Sequence, residues 1–277
     1  MAKITAAEVN NLRKMTGAGM MDCKKALMEA EGDVEKAIDI LRKKGQKVAS
    51  NRADRDANEG KIIAKVNKDN TFGGMIMLNC ETDFVANSDA FVEFANQLID
   101  MAIENKIKTL DELNNAEING VKVSQAVLDL TGKTGEKTTL AHYEVLEAPL
   151  VCEYNHLGNR VGTLLSLNKN SEVAQEVGHE LCMQVAAMAP IAVDEDSVAK
   201  EVIEKELEIA KETLRQEGKP ENMIEKIAMG KLNRFFKDNT LLNQMSISDG
   251  KITVAEYIKN ADPEIKVLNF KRLILGE

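Results

Sequence analysis

An eight-residue pattern occurs twice in this chain at a constant separation of 89 residues: Phe72-Gly73-Gly74-Met75-Ile76-Met77-Leu78-Asn79 and Val161-Gly162-Thr163-Leu164-Leu165-Ser166-Leu167-Asn168. Few identities are shared, but the pattern of small, apolar and terminal Asn positions is. Each copy follows a turn signal, Asn67-Lys68-Asp69-Asn70 in the first case and His156-Leu157-Gly158-Asn159 in the second. Each precedes an amphipathic helix pattern, Asp89 to Asn105 carrying Phe91, Phe94, Ala95, Leu98 and Met101, and Ser171 to Met188. A strand, a tight turn, a strand and a helix at a fixed offset constrain the fold to two related halves, each a small antiparallel sheet with a helix packed on it. The fold class is therefore α+β.

The two copies differ at one junction. Seven residues, Cys80 to Ala86, separate Asn79 from Asn87-Ser88-Asp89, whereas Lys169 alone separates Asn168 from Asn170-Ser171-Glu172. The first half thus carries six extra residues, among them Glu81-Thr82-Asp83-Phe84. A scaffold that closes without such a loop has no structural need of it, and loops of this kind carry function. Three readings apply. Cys80 as a nucleophile lacks a nearby base, since His142, His156 and His179 are distant in sequence. A structural reading makes Phe84 a core residue and Asp83 a helix N-cap. An interaction reading makes Phe84 an exposed apolar probe with Asp83 beside it, and the unshared insertion favours this one.

Composition removes several classes. Of 277 residues, 36 are Lys or Arg and 45 are Asp or Glu, a net charge of −9 that disfavours nucleic acid as the main partner. A basic run from Arg42 to Arg55 is read as a solvated helix end and linker. Aromatics are only 4%, with no Trp and 13 Met, so the core is aliphatic and Met-filled. No apolar run reaches the ~18–20 residues of a membrane span, and the N-terminus has no secretory pattern, so a cytoplasmic protein is expected. Four scattered cysteines, none in a C-x-x-C pair, fit a reducing compartment and argue against zinc. The phosphate-cradling pattern G-x-x-x-x-G-K-[ST] is absent, so no direct nucleotide binding is expected. No metal or cofactor is expected, and no enzymatic activity.

Residues 1–45 read as three short helices. Thr5 and Glu8 form a capping box, Gly17 and Gly32 end the first two helices, Asp33 caps the third and Gly45 ends it. Met20 and Met21 follow the Gly17-Ala18-Gly19 break; one is expected in the bundle core and the other on the surface. Such a bundle resembles a ubiquitin-associated-type interaction module. Residues 46–59 read as a linker, partly helical in one reading. The core follows as an N-subdomain, 60–141, and a C-subdomain, 142–196 and 237–277, closed by a strand from Val267 to Leu275. Residues 197–236 read as an antiparallel coiled-coil hairpin turning at Gly218-Lys219-Pro220 and projecting from the core. Its outer face has two readings, a second copy of the chain or solvent.

Two long motifs carry a resemblance. Met15-Thr16-Gly17-Ala18-Gly19-Met20-Met21-Asp22-Cys23-Lys24-Lys25-Ala26-Leu27 and Asn79-Cys80-Glu81-Thr82-Asp83-Phe84-Val85-Ala86 are similar to the two signatures of the bacterial elongation factor Ts family, in the order that family requires. The His156 hairpin and Gly218-Lys219-Pro220 match as well, so the resemblance spans nearly the whole chain. It implies a guanine-nucleotide exchange factor for the translational GTPase elongation factor Tu, which binds the GDP form, promotes GDP release and leaves when GTP binds. The first bundle then docks on the GTPase domain through Met20 and Met21. The loop Thr82-Asp83-Phe84-Val85 approaches the nucleotide and Mg²⁺ site, with Phe84 as the intruding aromatic and Asp83 as its companion acid. His156 faces the other end of the partner. The sequence departs from some members in showing no helix pattern after the last strand, so a contact made there is expected to be missing. The helical hairpin serves dimerisation in some members only, which leaves a homodimer open. The competing readings are a ubiquitin-associated-type adaptor or nascent-chain binding protein, and a thiol enzyme at Cys80.

Overall fold

The structure, a computed structural model, describes residues 4–276. The chain opens with α1 (Ala6–Thr16), α2 (Met20–Glu29) and α3 (Val34–Asn51). The first sheet begins with β1 (Glu59–Val66) and β2 (Phe72–Cys80), then α4 (Asp83–Ala86) and α5 (Asp89–Glu104). A segment with no clear sequence signal follows: α6 (Leu110–Asn115), the short pair β3 (Glu117–Ile118) and β4 (Val121–Lys122), and α7 (Val123–Thr134). Next come β5 (Thr139–Glu147), β6 (Leu150–Asn155), β7 (Val161–Leu167) and α8 (Glu172–Met188). The chain ends in α9 (Lys200–Gln216), α10 (Glu221–Asn239), α11 (Val254–Ala261) and β8 (Val267–Ile274). Among the described residues there are eleven helices and three small sheets, all antiparallel. This is α+β content, as the patterns imply.

The repeated octapeptides are the central strands of the two larger sheets, ordered β1-β2-β5 and β6-β7-β8. The sheets pack against each other and each carries a helix on its outer face, so every residue of β2 is buried. Side chains alternate accordingly. Ile76 and Leu78 point to the core shared with α5, while Met75 and Met77 point between the sheets. The offset of 89 carries this alternation intact: Leu165 and Leu167 face α8, and Leu164 faces the first sheet. The repeat's shared glycines explain themselves here. A Cβ on Gly73 would lie 2.7 Å from Val151 Cγ1, and one on Gly162 would lie 2.5 Å from Ile62 Cγ2. Both copies need a missing side chain at the point where the sheets come closest. The division drawn at 141/142 falls within β5, which pairs with β2 from Thr139 to Glu147.

In the N-terminal helices the local signals act as read. The Thr5 hydroxyl accepts from the Glu8 N–H, and the Glu8 carboxylate accepts from the Thr5 N–H at 2.7 Å. The Asp33 carboxylate accepts from the Lys36 N–H at 3.1 Å. Gly17 sits at φ 65°, the left-handed conformation that ends α1. Val9, Leu12, Cys23, Ala26, Leu27, Ala30 and Ala37 form the shared core of α1, α2 and α3.

Two expectations change. Gly45 does not end α3, which continues to Asn51. It lies at a helix crossing instead, where the missing side chain that matters is that of Gly132 on α7: a Cβ there would lie 2.6 Å from Gly45 Cα, whereas one on Gly45 would meet Gly132 Cα at 3.4 Å. The start of the 46–59 segment is thus helical, and α7 braces it. Met20 and Met21 are both exposed, at 57% and 61%. The apolar stripe of α2 is supplied by Cys23, Ala26 and Leu27, and the first turn projects beyond the core they form.

Residues Lys200–Asn239 form two helices packed side by side, with Gly218 at φ 72° in the turn. Ala210, Leu214, Ile224 and Ala228 meet towards the tip, and Val198, Leu232 and Phe236 meet Ala192 towards the base. Ile209, Met223 and Met229 remain exposed on this pair.

Candidate functional site

The insertion between β2 and α5 is short and held at many points. Thr82 opens the four-residue α4: its hydroxyl accepts from the Val85 N–H at 3.4 Å. The cap is therefore Thr82 and not Asp83, which lies in the first turn, exposed. Asn87 Nδ2 donates to the Asp83 carbonyl at 2.8 Å, and Ser88 Oγ donates to the Val85 carbonyl at 2.7 Å. Ala86 is buried and Val85 packs against the first core. Phe84 does the opposite. It is 85% exposed, although a Phe at this level of exposure forgoes about 1.5–3 kcal/mol of burial. The reading of Phe84 as a core residue is overturned, because the turn points its ring outward.

Cys80 is buried, and its thiol donates to the Thr82 carbonyl at 3.1 Å. Burial, reinforced by the nearby Glu136 charge, pushes its pKa to about 12. A thiol so poised holds almost no thiolate near neutrality, which counts against the thiol-enzyme reading.

Two carboxylates anchor the turn from below. Glu136, in the loop after α7, accepts from the Thr82 N–H at 3.0 Å and from the Thr82 hydroxyl at 2.7 Å. Glu81 accepts both bonds of the Arg52 guanidinium, at 2.8 and 2.7 Å, and the Lys137 N–H at 2.6 Å. That backbone bond first, and the Arg52 guanidinium second, hold the Glu81 carboxyl below the ordinary range. The Lys137 ammonium donates in turn to the carbonyls of Ala53 and Arg55, at 2.7 and 2.9 Å, just beyond α3.

The tip between β6 and β7 holds His156, exposed, with Leu157 beside it at 92% exposure. His156 Nδ1 shares a 3.0 Å hydrogen bond with the Tyr154 hydroxyl. This tip docks on the edge of the first sheet: Asn155 exchanges side-chain bonds with Ala64 N–H and carbonyl, and the Ile62 N–H donates to the Asn159 carbonyl. The Lys61 ammonium bridges the two loops, donating to Asn87 Oδ1 at 2.8 Å and to the Gly158 carbonyl at 3.1 Å.

The arrangement thus gathers Thr82, Asp83, Phe84 and Val85 on one turn and ties the His156 hairpin to it through Lys61. Met20 and Met21 stand apart, on the first turn of α2. A cleft of about 290 Å³ between the bundle and α7, lined in part by Met15, Leu41 and Lys133, includes no residue of α4 or of the hairpin tip. Arg52, Glu136, Lys137 and Lys61 carry no local sequence signal for these roles, because each acts across a long stretch of chain. Leu157 does carry one: a bulky apolar residue between His156 and Gly158 in a turn. Chemically, the site presents apolar side chains on rigid supports with an acid beside them, the equipment of a contact surface.

Comparison with known proteins agrees with the motifs. A family model described as elongation factor TS matches residues 81–277, beginning at the first residues of the insertion. The elongation factor Ts of Christiangramia forsetii is 54% identical over 276 residues, covering all of both chains. Those of Flavobacterium psychrophilum and Amoebophilus asiaticus are 50% and 48% identical over essentially full length. Identity of this order, sustained from the three-helix segment through the last strand, means that the chain belongs to the elongation factor Ts family of translation elongation factors.

Proposed function

We propose that this chain is the nucleotide exchange factor of a partner GTPase, elongation factor Tu, acting in the cytoplasm without chemistry of its own. The observation that carries the reading is Phe84, exposed on a turn whose every neighbour is tied down. The three N-terminal helices, read as a ubiquitin-associated-like docking bundle, bring Met20 and Met21 to the GTPase domain. Asp83 and Phe84, with Thr82 and Val85 as their support, enter beside the nucleotide and its Mg²⁺. The His156 tip, with Leu157, engages the partner beside the Phe84 turn, to which Lys61 ties it. The α9–α10 hairpin lies outside this set and offers its exposed Ile209, Met223 and Met229 for self-association. The adaptor reading leaves Phe84 without a use.

Exchange is a coupling between two binding events: whatever factor this protein applies to GDP affinity, GDP applies to its own affinity for the GTPase. The free energy must come from contacts made better with the nucleotide-free state. Burying one Phe contributes ~1.5–3 kcal/mol, or roughly one to two decades at ~1.4 kcal/mol per decade. Phe84 therefore supplies a differential, while the bundle and core supply affinity.

The test is release of a fluorescent GDP from purified elongation factor Tu. Wild type accelerates release; Phe84→Ala lowers the maximal rate by roughly 10–100-fold and leaves the concentration for half-maximal effect nearly unchanged. Equal loss in rate and affinity would refute this division of labour. No acceleration by wild type would refute the exchange reading itself.

A further inference from the structure

We infer that Glu136 is a positioning residue for the Phe84 probe, holding it at a fixed offset from the N-terminal bundle. The inference rests on the exchange reading above and extends it to a residue that contacts no partner. A helix of four residues has almost no stability of its own. The Thr82 hydroxyl that caps α4 has one proton and two lone pairs, and its orientation decides whether it can accept from Val85 N–H. Glu136 takes that proton, at 2.7 Å, and so turns a lone pair toward the Val85 N–H. Its second oxygen takes the Thr82 N–H at 3.0 Å, which fixes the backbone at the point where the turn departs from the sheet. Both are bonds to a carboxylate, the stronger kind.

What holds Glu136 gives the arrangement its reach. It follows Gly135, the left-handed end of α7, and its N–H donates to the Thr134 hydroxyl at 3.3 Å. Four residues earlier, Gly132 meets Gly45 of α3 backbone to backbone. One residue later, Lys137 grips the Ala53 and Arg55 carbonyls and donates to Glu81, which Arg52 also holds. The end of α7 thus grasps the probe with one residue and the stem of the bundle with its neighbours. When the bundle docks, the position of Phe84 is already set. An entering group pays off in rate only when it is held in the geometry it needs before contact.

The experiment measures steady-state exchange on elongation factor Tu with fluorescent GDP, using wild type, Glu136→Ala, Glu136→Gln, Phe84→Ala and the double variant. Glu136→Ala is expected to lower kcat about tenfold with KM within about twofold. Glu136→Gln, which keeps an acceptor for the Thr82 N–H but turns a donor NH2 to the hydroxyl in place of the oxygen that takes its proton, restores only part of that loss. In the Phe84→Ala background, Glu136→Ala changes kcat less than about twofold, since a positioning residue has nothing left to position. A residue that merely stabilises the fold would give the same loss in both backgrounds, and that result overturns the inference. So does a rise in KM with kcat unchanged. If Glu136→Ala does not fold, Thr82→Val removes the same hydroxyl bond and must show the same dependence on Phe84. Wild type without exchange activity, or Phe84→Ala as fast as wild type, would instead refute the exchange reading or its loop, and the inference with it.

Discussion

The Gly45–Gly132 crossing allows two almost identical substitutions with opposite outcomes. A Cβ placed on Gly45 meets Gly132 Cα at 3.4 Å, an ordinary contact, and Gly45 lies in the interior of α3. Gly45→Ala therefore gains helix propensity of about 0.8–1 kcal/mol at little steric cost. A Cβ placed on Gly132 meets Gly45 Cα at 2.6 Å, and both atoms belong to helix frameworks that cannot rotate away. Restoring a normal carbon–carbon separation of ~3.5–4.0 Å requires α3 and α7 to part by about 1 Å. Overpacking of that kind costs ~1–3 kcal/mol, against which the same ~1 kcal/mol of propensity is returned. Gly132→Ala is thus neutral to about 2 kcal/mol destabilising. At ~2–4 °C per kcal/mol for a chain of this size, thermal unfolding followed by circular dichroism should raise Tm for Gly45→Ala by about 2–4 °C. Gly132→Ala should leave Tm unchanged or lower it by up to about 8 °C. Gly132→Ala also displaces the bundle from the Glu136 anchor, so its exchange rate falls while that of Gly45→Ala does not. Equal stabilisation by both alanines would refute the asymmetric contact and the brace built on it.

Two further outcomes follow from the supports of the turn. Because the folded-state pKa of Glu81 is depressed, its contribution is full above the ordinary value of about 4.3 and is lost as pH falls through the lower folded value. Glu81→Gln should therefore lower stability at pH 7 and flatten the acid limb of a stability–pH curve below about pH 4.3; an unchanged acid limb would count against the Arg52–Glu81–Lys137 cluster. Cys80, with its pKa pushed to about 12, should resist iodoacetamide in the native protein, and Cys80→Ser should exchange nucleotide like wild type. Fast native alkylation at Cys80, read by mass spectrometry of the digest, would contradict its burial.

What the sequence made legible was local. Thr5, Glu8 and Asp33 announce helix starts because their partners lie three residues away. The repeat at 72–79 and 161–168 fixed both central strands, since period-two patterning is a property of a few consecutive residues. Helices from Asp89, Glu172, Lys200 and Glu221 fell where apolar spacing put them. The same local rules misread Gly45, which sits inside a helix where it crosses another, and placed one methionine of Met20-Met21 inside a core that closes without either. They gave no account of residues 106–138, where short elements alternate too quickly for a period to build up. Yet α7 and Glu136 lie there, and they hold the candidate site. The loop was conspicuous as an insertion and Phe84 as its apolar member; the partners that immobilise it were invisible, because a carboxylate in a surface loop looks alike whether it is solvated or gripping a distant threonine.

The sandwiching of the two sheets also sets a timetable. Met75 and Met77 belong to a core that includes Leu164 and Leu275. During synthesis the first sheet and α5 can assemble early, but the inner face of β2 stays uncovered until β6 and β7 arrive, and Leu164 emerges about 90 residues after Met77. At ~5–20 residues per second that is on the order of 4–18 s. For that interval the nascent chain displays a flat apolar surface beside a ribosome, and its folding is a race between the arrival of its own second half and capture by anything else with a face to cover.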